Sequence, residues 1–127
     1  MKFFVILLFM IFCHIVDDYY LQGCLANLKQ KSFWEKNAPD KMYKYDYIMA
    51  LLMHSMSWAF MIMLPLLIYF GLNPPVIFTV LWVINTAAHL IVDDLKANKR
   101  KINLIQDQTC HLVQIIVTLI IMLGCDI

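Results

Sequence analysis

Four apolar stretches, each near the length needed to cross a bilayer, constrain this chain more than any other feature of it. They run from about Phe3 to Tyr20, Tyr47 to Phe70, Val76 to Leu95 and Ile105 to Leu123. A helix needs about 20 predominantly apolar residues to cross the hydrocarbon layer. The second stretch, YIMALLMHSMSWAFMIMLPLLIYF, meets that cleanly, and the others do so with polar residues at one end. Their length and lack of turn signals favour helix over strand. Pro65 should kink the second helix, and Asn73-Pro74-Pro75 breaks the chain before the third. The expected fold is therefore all-α, a single transmembrane domain over residues 1–127 built as an up-down four-helix bundle.

Composition agrees. Hydrophobic residues make up 62% of the 127 and charged residues 15%, against about 45–50% and 25% in soluble domains. That balance excludes a disordered tail, a coiled coil, a collagen-like rod and a basic nucleic-acid binder. The four cysteines, Cys13, Cys24, Cys110 and Cys125, show no metal-binding or redox spacing. They read as small membrane-buried hydrophobes rather than a disulfide framework. The opening MKFFVILLFMIFC imitates a signal peptide, yet Phe12 stands where a cleavage site needs a small residue. It is expected to be a retained helix.

Charge sets an orientation. Lys29, Lys31, Lys36, Lys41 and Lys44 lie between the first two segments, and Lys96, Lys99, Arg100 and Lys101 between the last two. The opposite side has the uncharged Asn-Pro-Pro turn, Lys2 and Asp126. The positive-inside rule puts both long loops in the cytoplasm and both termini outside, in a multi-pass inner-membrane protein. Within the first loop, QGCLANLKQKSFWEK reads either as an amphipathic helix on the inner leaflet, anchored by Trp34, or as a solvated loop.

The ionisable residues inside these segments recur with one spacing. His14 and Asp18, His89 and Asp93, and Asp107 and His111 are each four apart, while His54 stands alone. Residues at i and i+4 share a helix face. Two stripes extend a further turn, as His14-Asp18-Gln22 and Asn85-His89-Asp93. In an up-down bundle the first and third segments end where the second and fourth begin, so all seven residues fall at one depth in the cytoplasmic half. Ionisable groups in hydrocarbon cost roughly 2.5–3.5 kcal/mol each on insertion scales, which makes them functional candidates. Taken singly, each histidine reads as a packing residue and each pair as a hydrogen bond within a helix. Their conjunction at one level points to a shared site.

Four imidazoles and three carboxylates exceed one tetrahedral site and suit one or two divalent ions, with an Asp bridging the pair. A His/carboxylate set without thiolate favours zinc, with manganese or iron as alternatives. The expected ligands are His14, Asp18, His54, His89, Asp93, Asp107 and His111. Asp18, Asp93 and Asp107 are the candidates for catalytic proton transfer, and Lys96 and Gln22 for substrate binding. Asp17 and Asp94 adjoin the inner acids but point about 100° away on a regular helix, so they are left outside the set.

The strings HIVDDYYLQ, ALLMHS, HLIVDDLK and DQTCHL, in this order over nearly the whole chain, resemble a bacterial and phage group of small membrane proteins catalogued as domain-of-unknown-function family 3307. Its pattern is H-x-x-x-D-x-x-x-Q, a lone His, H-x-x-x-D-x-x-K and D-Q-x-x-H-L. Those positions are His14, Asp18 and Gln22; His54; His89, Asp93 and Lys96; and Asp107, Gln108 and His111. The resemblance implies no activity.

Function thus rests on the chemistry. The leading expectation is a membrane-embedded, metal-dependent hydrolase acting on a lipid-like or anionic substrate at the cytoplasmic face. The metal would lower the pKa of bound water to about 7. The alternatives are a divalent-cation or proton transporter using the same ligands, and a non-catalytic subunit whose polar cluster fixes helix packing. The expected partners are the bilayer and, for so thin a bundle, further copies of the chain.

Overall fold

The structure is a computed structural model that describes residues 2–124; Cys125 and Asp126 of the sequence reading lie outside the described residues. It is all-helical there. Helix α1 (Lys2–Val16) continues as a π-helical turn over Asp17–Leu21. Two short helices follow, α2 (Leu25–Leu28) and α3 (Lys31–Asn37). The long helices α4 (Asp46–Tyr69), α5 (Ile77–Ala97) and α6 (Leu104–Gly124) complete the chain. Four helical spans are long and apolar enough to cross a membrane.

Local chemistry sets the ends of these helices. The π turn closes with Gln22 N–H donating to the Asp17 carbonyl, five residues back, and Gly23 then takes a positive φ of 50°. Helix α4 ends in a Schellman motif about Gly71 (φ 61°), with Gly71 N–H bonded to the Ile68 carbonyl and Leu72 N–H to that of Leu67. Pro65 lies inside α4 without ending it. Helix α6 opens on a reciprocal cap. Gln106 N–H donates to Asn103 Oδ1 at 2.9 Å, and Asn103 N–H to Gln106 Oε1 at 3.0 Å. This is the capping-box logic with Asn and Gln as the partners.

The four long helices close a ring in which α1 packs on α4 and α6, and α5 packs on α4 and α6. One apolar core draws on the start of α1 (Ile6, Met10), the end of α4 (Ile62, Leu66), the start of α5 (Leu81) and the end of α6 (Leu119, Met122). Neighbours in this ring therefore run antiparallel. The outward surface is apolar as well. Phe4 and Phe12 are each 62% exposed, and Leu8, Met53, Val83, Ile91, Val113 and Ile120 also face out. A belt of exposed apolar side chains around a bundle is the surface expected against lipid rather than water.

The segment after α1 is neither a single amphipathic helix nor an unstructured loop. Gln30, at φ −93° and ψ 122°, breaks it into α2 and α3. Trp34 donates Nε1–H to the Leu28 carbonyl at 2.7 Å and stacks on Tyr43. The segment is thus a folded strap across one end of the bundle, packed on α4.

Candidate metal centre

Above the apolar core sits a closed layer of polar side chains. His14, Asp17, His54, Asn85, His89, Asp93, Asp107 and His111 are all under 5% exposed, and Asp18 is 9% exposed. The structure brings together the six residues of the three i, i+4 pairs and the lone His54. They come from the last turns of α1 and α5 and the first turns of α4 and α6, as the antiparallel arrangement requires.

Two groups of three have the spacing of metal ligands, Asp18-His54-His89 and His89-Asp93-His111, and they share His89. His54 Nε2 lies 3.4 Å from Asp18 Oδ1, 3.2 Å from His89 Nε2 and 3.3 Å from Asp93 Oδ2. Ligand bonds of about 2.0–2.1 Å at tetrahedral angles put neighbouring ligand atoms about 3.3–3.4 Å apart. The observed separations match that edge length. Asp93 turns its second oxygen to the other group, with Oδ1 at 3.7 Å from both His89 Nε2 and His111 Nε2. His111 Nε2 in turn is 3.4 Å from Asp107 Oδ1, and neither atom has a hydrogen-bond partner. Two buried polar atoms that face each other unbonded are costly unless a proton or a metal ion lies between them. The donor set of imidazole nitrogens and carboxylate oxygens suits a divalent ion of zinc type.

Surrounding groups fix the rings. His111 Nδ1–H donates to Gln114 Oε1 at 3.3 Å, so that in the neutral ring Nε2 would present its lone pair to the cluster. Gln114 Nε2–H reaches the Asn85 carbonyl at 3.3 Å, and Asn85 Nδ2–H donates to Thr118 Oγ1 at 2.8 Å. His89 is held instead by stacking on Trp58 at 4.2 Å and on His111 at 4.3 Å, rings that are themselves 5.0 Å apart.

His14 is in the layer, but both its nitrogens are engaged. Trp58 Nε1–H donates to Nδ1 at 2.8 Å, and Nε2–H donates to Gln108 Oε1 at 2.9 Å. It therefore belongs to the wall rather than to either group of three. Asp17 lies inside, contrary to its expected direction. Its Oδ1 accepts from Ser57 Oγ at 2.6 Å, and its Oδ2 is 3.9 Å from His54 Nδ1. The π turn explains this, because a wider turn rotates successive residues by less than 100° and lets Asp17 and Asp18 both face the bundle. Asp94 does stay outside, paired with Lys99 at 3.0 Å.

Of the two residues read as substrate-binding, Lys96 places Nζ 2.6 Å from Asp107 Oδ2. Gln22 bonds back to the Asp18 carbonyl and has a buried Oε1 with no partner. Sequence reasoning counted Lys29 only as a loop charge, yet its Nζ lies 2.6 Å from Asp93 Oδ2. Its partner is 64 positions away in sequence, so no local signal marks the pair.

Charge completes the description. Four carboxylates (Asp17, Asp18, Asp93, Asp107) face two ammonium groups (Lys29, Lys96), so with neutral histidines two negative charges are uncompensated. One divalent cation balances them, as do two imidazolium protons, and a second divalent ion would need a further anionic partner. Compared with protein families, curated proteins and solved structures, the chain matches none.

Proposed function

We propose that the protein is a membrane-embedded, metal-dependent hydrolase whose site lies at headgroup depth on the cytoplasmic side. The observation that carries this reading is Asp93, which turns Oδ2 toward His54 and Oδ1 toward His89 and His111; His89 Nε2, with a single lone pair, would serve one ion only. That is the arrangement of a two-ion site with a bridging carboxylate. His54, His89 and His111 supply nitrogen, and Asp18 and Asp107 supply the terminal oxygens. Zinc suits the set best, with manganese and iron as alternatives. A bound ion of this kind supplies a water able to lose its proton near neutral pH. Asp18, the most open of the four carboxylates, turns Oδ1 toward His54 and keeps Oδ2 to accept that proton. Asp17 Oδ2 faces His54 Nδ1 from behind at 3.9 Å, beyond hydrogen-bond reach but near enough for its charge to favour a proton on Nδ1.

Orientation follows from the nine cationic residues in the two long loops. Tyr19, Tyr20 and Tyr45, all exposed at the same end of the bundle, fit the aromatic belt of a membrane interface. A substrate reaching this level is a lipid or lipid-linked phosphoester. The layer of Ile62, Leu66, Leu119 and Met122 beyond Trp58 is apolar and buried, which favours an enzyme open to one face over a carrier that needs polar groups to both. The test is hydrolysis of lipid phosphoesters by zinc-reconstituted protein in mixed micelles. Turnover that is lost on chelation, and that stays lost in Asp18→Asn at zinc concentrations high enough to refill its site, is the expected result. Zinc uptake by proteoliposomes without hydrolysis would replace the enzyme by a carrier.

A further inference from the structure

The strap holds one feature that metal binding does not require. Lys29 sits between α2 and α3, and its side chain is only 14% exposed because it turns inward to Asp93. A single side chain fixes the backbone just after it, on either side of Gln30. Asn98, at the end of α5, accepts from Lys31 N–H at 2.7 Å and donates to the Lys29 carbonyl at 3.1 Å. The same amide nitrogen also donates to Asp94 Oδ1 at 2.9 Å. A lysine on a solvated loop has no such clasp. Asp93 Oδ2 is the only hydrogen-bond acceptor of the Lys29 ammonium among the described residues, so two of its three donors are uncommitted.

Resting on the hydrolase reading above, we propose that Lys29 is the oxyanion-recognition residue of the site. It would receive a non-bridging oxygen of a phosphoryl group lodged against Asp93, and Asn98 would act as the positioning residue that holds it there. Lys96 brackets the same cluster from α5, with its ammonium on Asp107. Two ammonium groups at the edge of an acidic cluster suit a phosphoryl group with its two charged oxygens, and a neutral carboxylic ester uses neither. Lys29 already competes as a cation for Asp93 Oδ2, so it is not needed to hold metal. The chemistry recognised is a phosphoryl oxyanion, whether on a lipid or on a soluble ester.

The test uses zinc-loaded full-length protein in nanodiscs of neutral phosphatidylcholine, with inorganic phosphate as the probe. Phosphate binding is followed by phosphorus NMR and zinc content by elemental analysis. One charge-assisted hydrogen bond predicts that Lys29→Met weakens phosphate binding roughly 10–100-fold. Zinc content should be unchanged or higher, Lys29→Arg should restore most of the binding, and Asn98→Ala should give a smaller loss. Unchanged phosphate affinity in Lys29→Met, or loss of zinc in that variant, overturns the proposal, because Lys29 is then only a counter-ion or a scaffold. Wild-type protein that binds none of zinc, manganese and iron refutes the hydrolase reading and this proposal together, whereas metal-loaded wild type that ignores phosphate refutes this proposal alone. Comparing glycerol phosphate with phosphatidic acid in the nanodisc then separates the two sources. Tighter Lys29-dependent binding of the lipid assigns the site to a membrane substrate, and tighter binding of the soluble ester to a cytoplasmic one.

Discussion

The indole N–H of Trp58 donates to Nδ1 of His14 across 2.8 Å, deep in the bundle. That bond decides what His14 can do, because Gln108 already takes its other nitrogen. Trp58 also stacks on His89, so one fully buried side chain both closes the polar layer from the apolar core and orients two imidazoles.

His14 is therefore expected to behave as a supporting residue. His14→Ala should weaken metal binding about 10–100-fold, the usual loss when a group behind the ligands is removed. His89→Ala and His111→Ala should abolish it. Trp58→Phe leaves His14 Nδ1 buried without a donor and should destabilise the protein by about 1–3 kcal/mol. Zinc titration and denaturant unfolding in micelles measure the two effects, and a His14→Ala loss as complete as that of His89→Ala would make His14 a ligand.

His54 stands alone in the sequence but has three candidate ligand atoms within 3.4 Å of Nε2. His54→Ala should strip at least one ion and leave the His89-Asp93-His111 group able to hold another. Elemental analysis should show partial, not complete, loss of metal. A variant with full metal content would reduce His54 to a packing residue and end the two-ion reading.

Gln114 fixes the tautomer of His111. Gln114→Leu, close in volume but unable to accept Nδ1–H, should weaken metal binding roughly 10–100-fold. Asn85→Ala acts one bond further away and should cost less. Equal effects from the two would mean that packing, not ring orientation, is what this pair provides.

Much of this was legible in the sequence. The four segments match the long helices to within two residues at most ends, because apolar length alone specifies them. The i, i+4 pairs found the polar layer, since α5 and α6 are regular helices there. Asp17 was missed because the chain leaves regular helical rotation at the π turn, which no residue pattern announced. Lys29 was missed because a strap folded back over the bundle creates contacts that periodicity cannot encode. The engagement of His14 was equally hidden, since Trp58 and Gln108 reach it from α4 and α6.

Topology is open to a separate check. Both long loops should be cytoplasmic and the start of α1 external, given nine cationic residues in the loops against Lys2 outside. Cysteine placed at Lys36 or Lys99 should resist membrane-impermeant thiol reagents in intact cells and react after permeabilisation. Labelling of either in intact cells would reverse the orientation and put the site at the outer face.

The most direct measurement is the metal content of protein purified in detergent without chelator. The two ligand groups joined by Asp93 predict about one to two divalent ions per chain, lost on chelation together with thermal stability, because a ligand that binds only the folded state stabilises it. Wild-type protein that is folded, metal-free and not stabilised by added zinc, manganese or iron would contradict the metal centre and the hydrolase reading built on it.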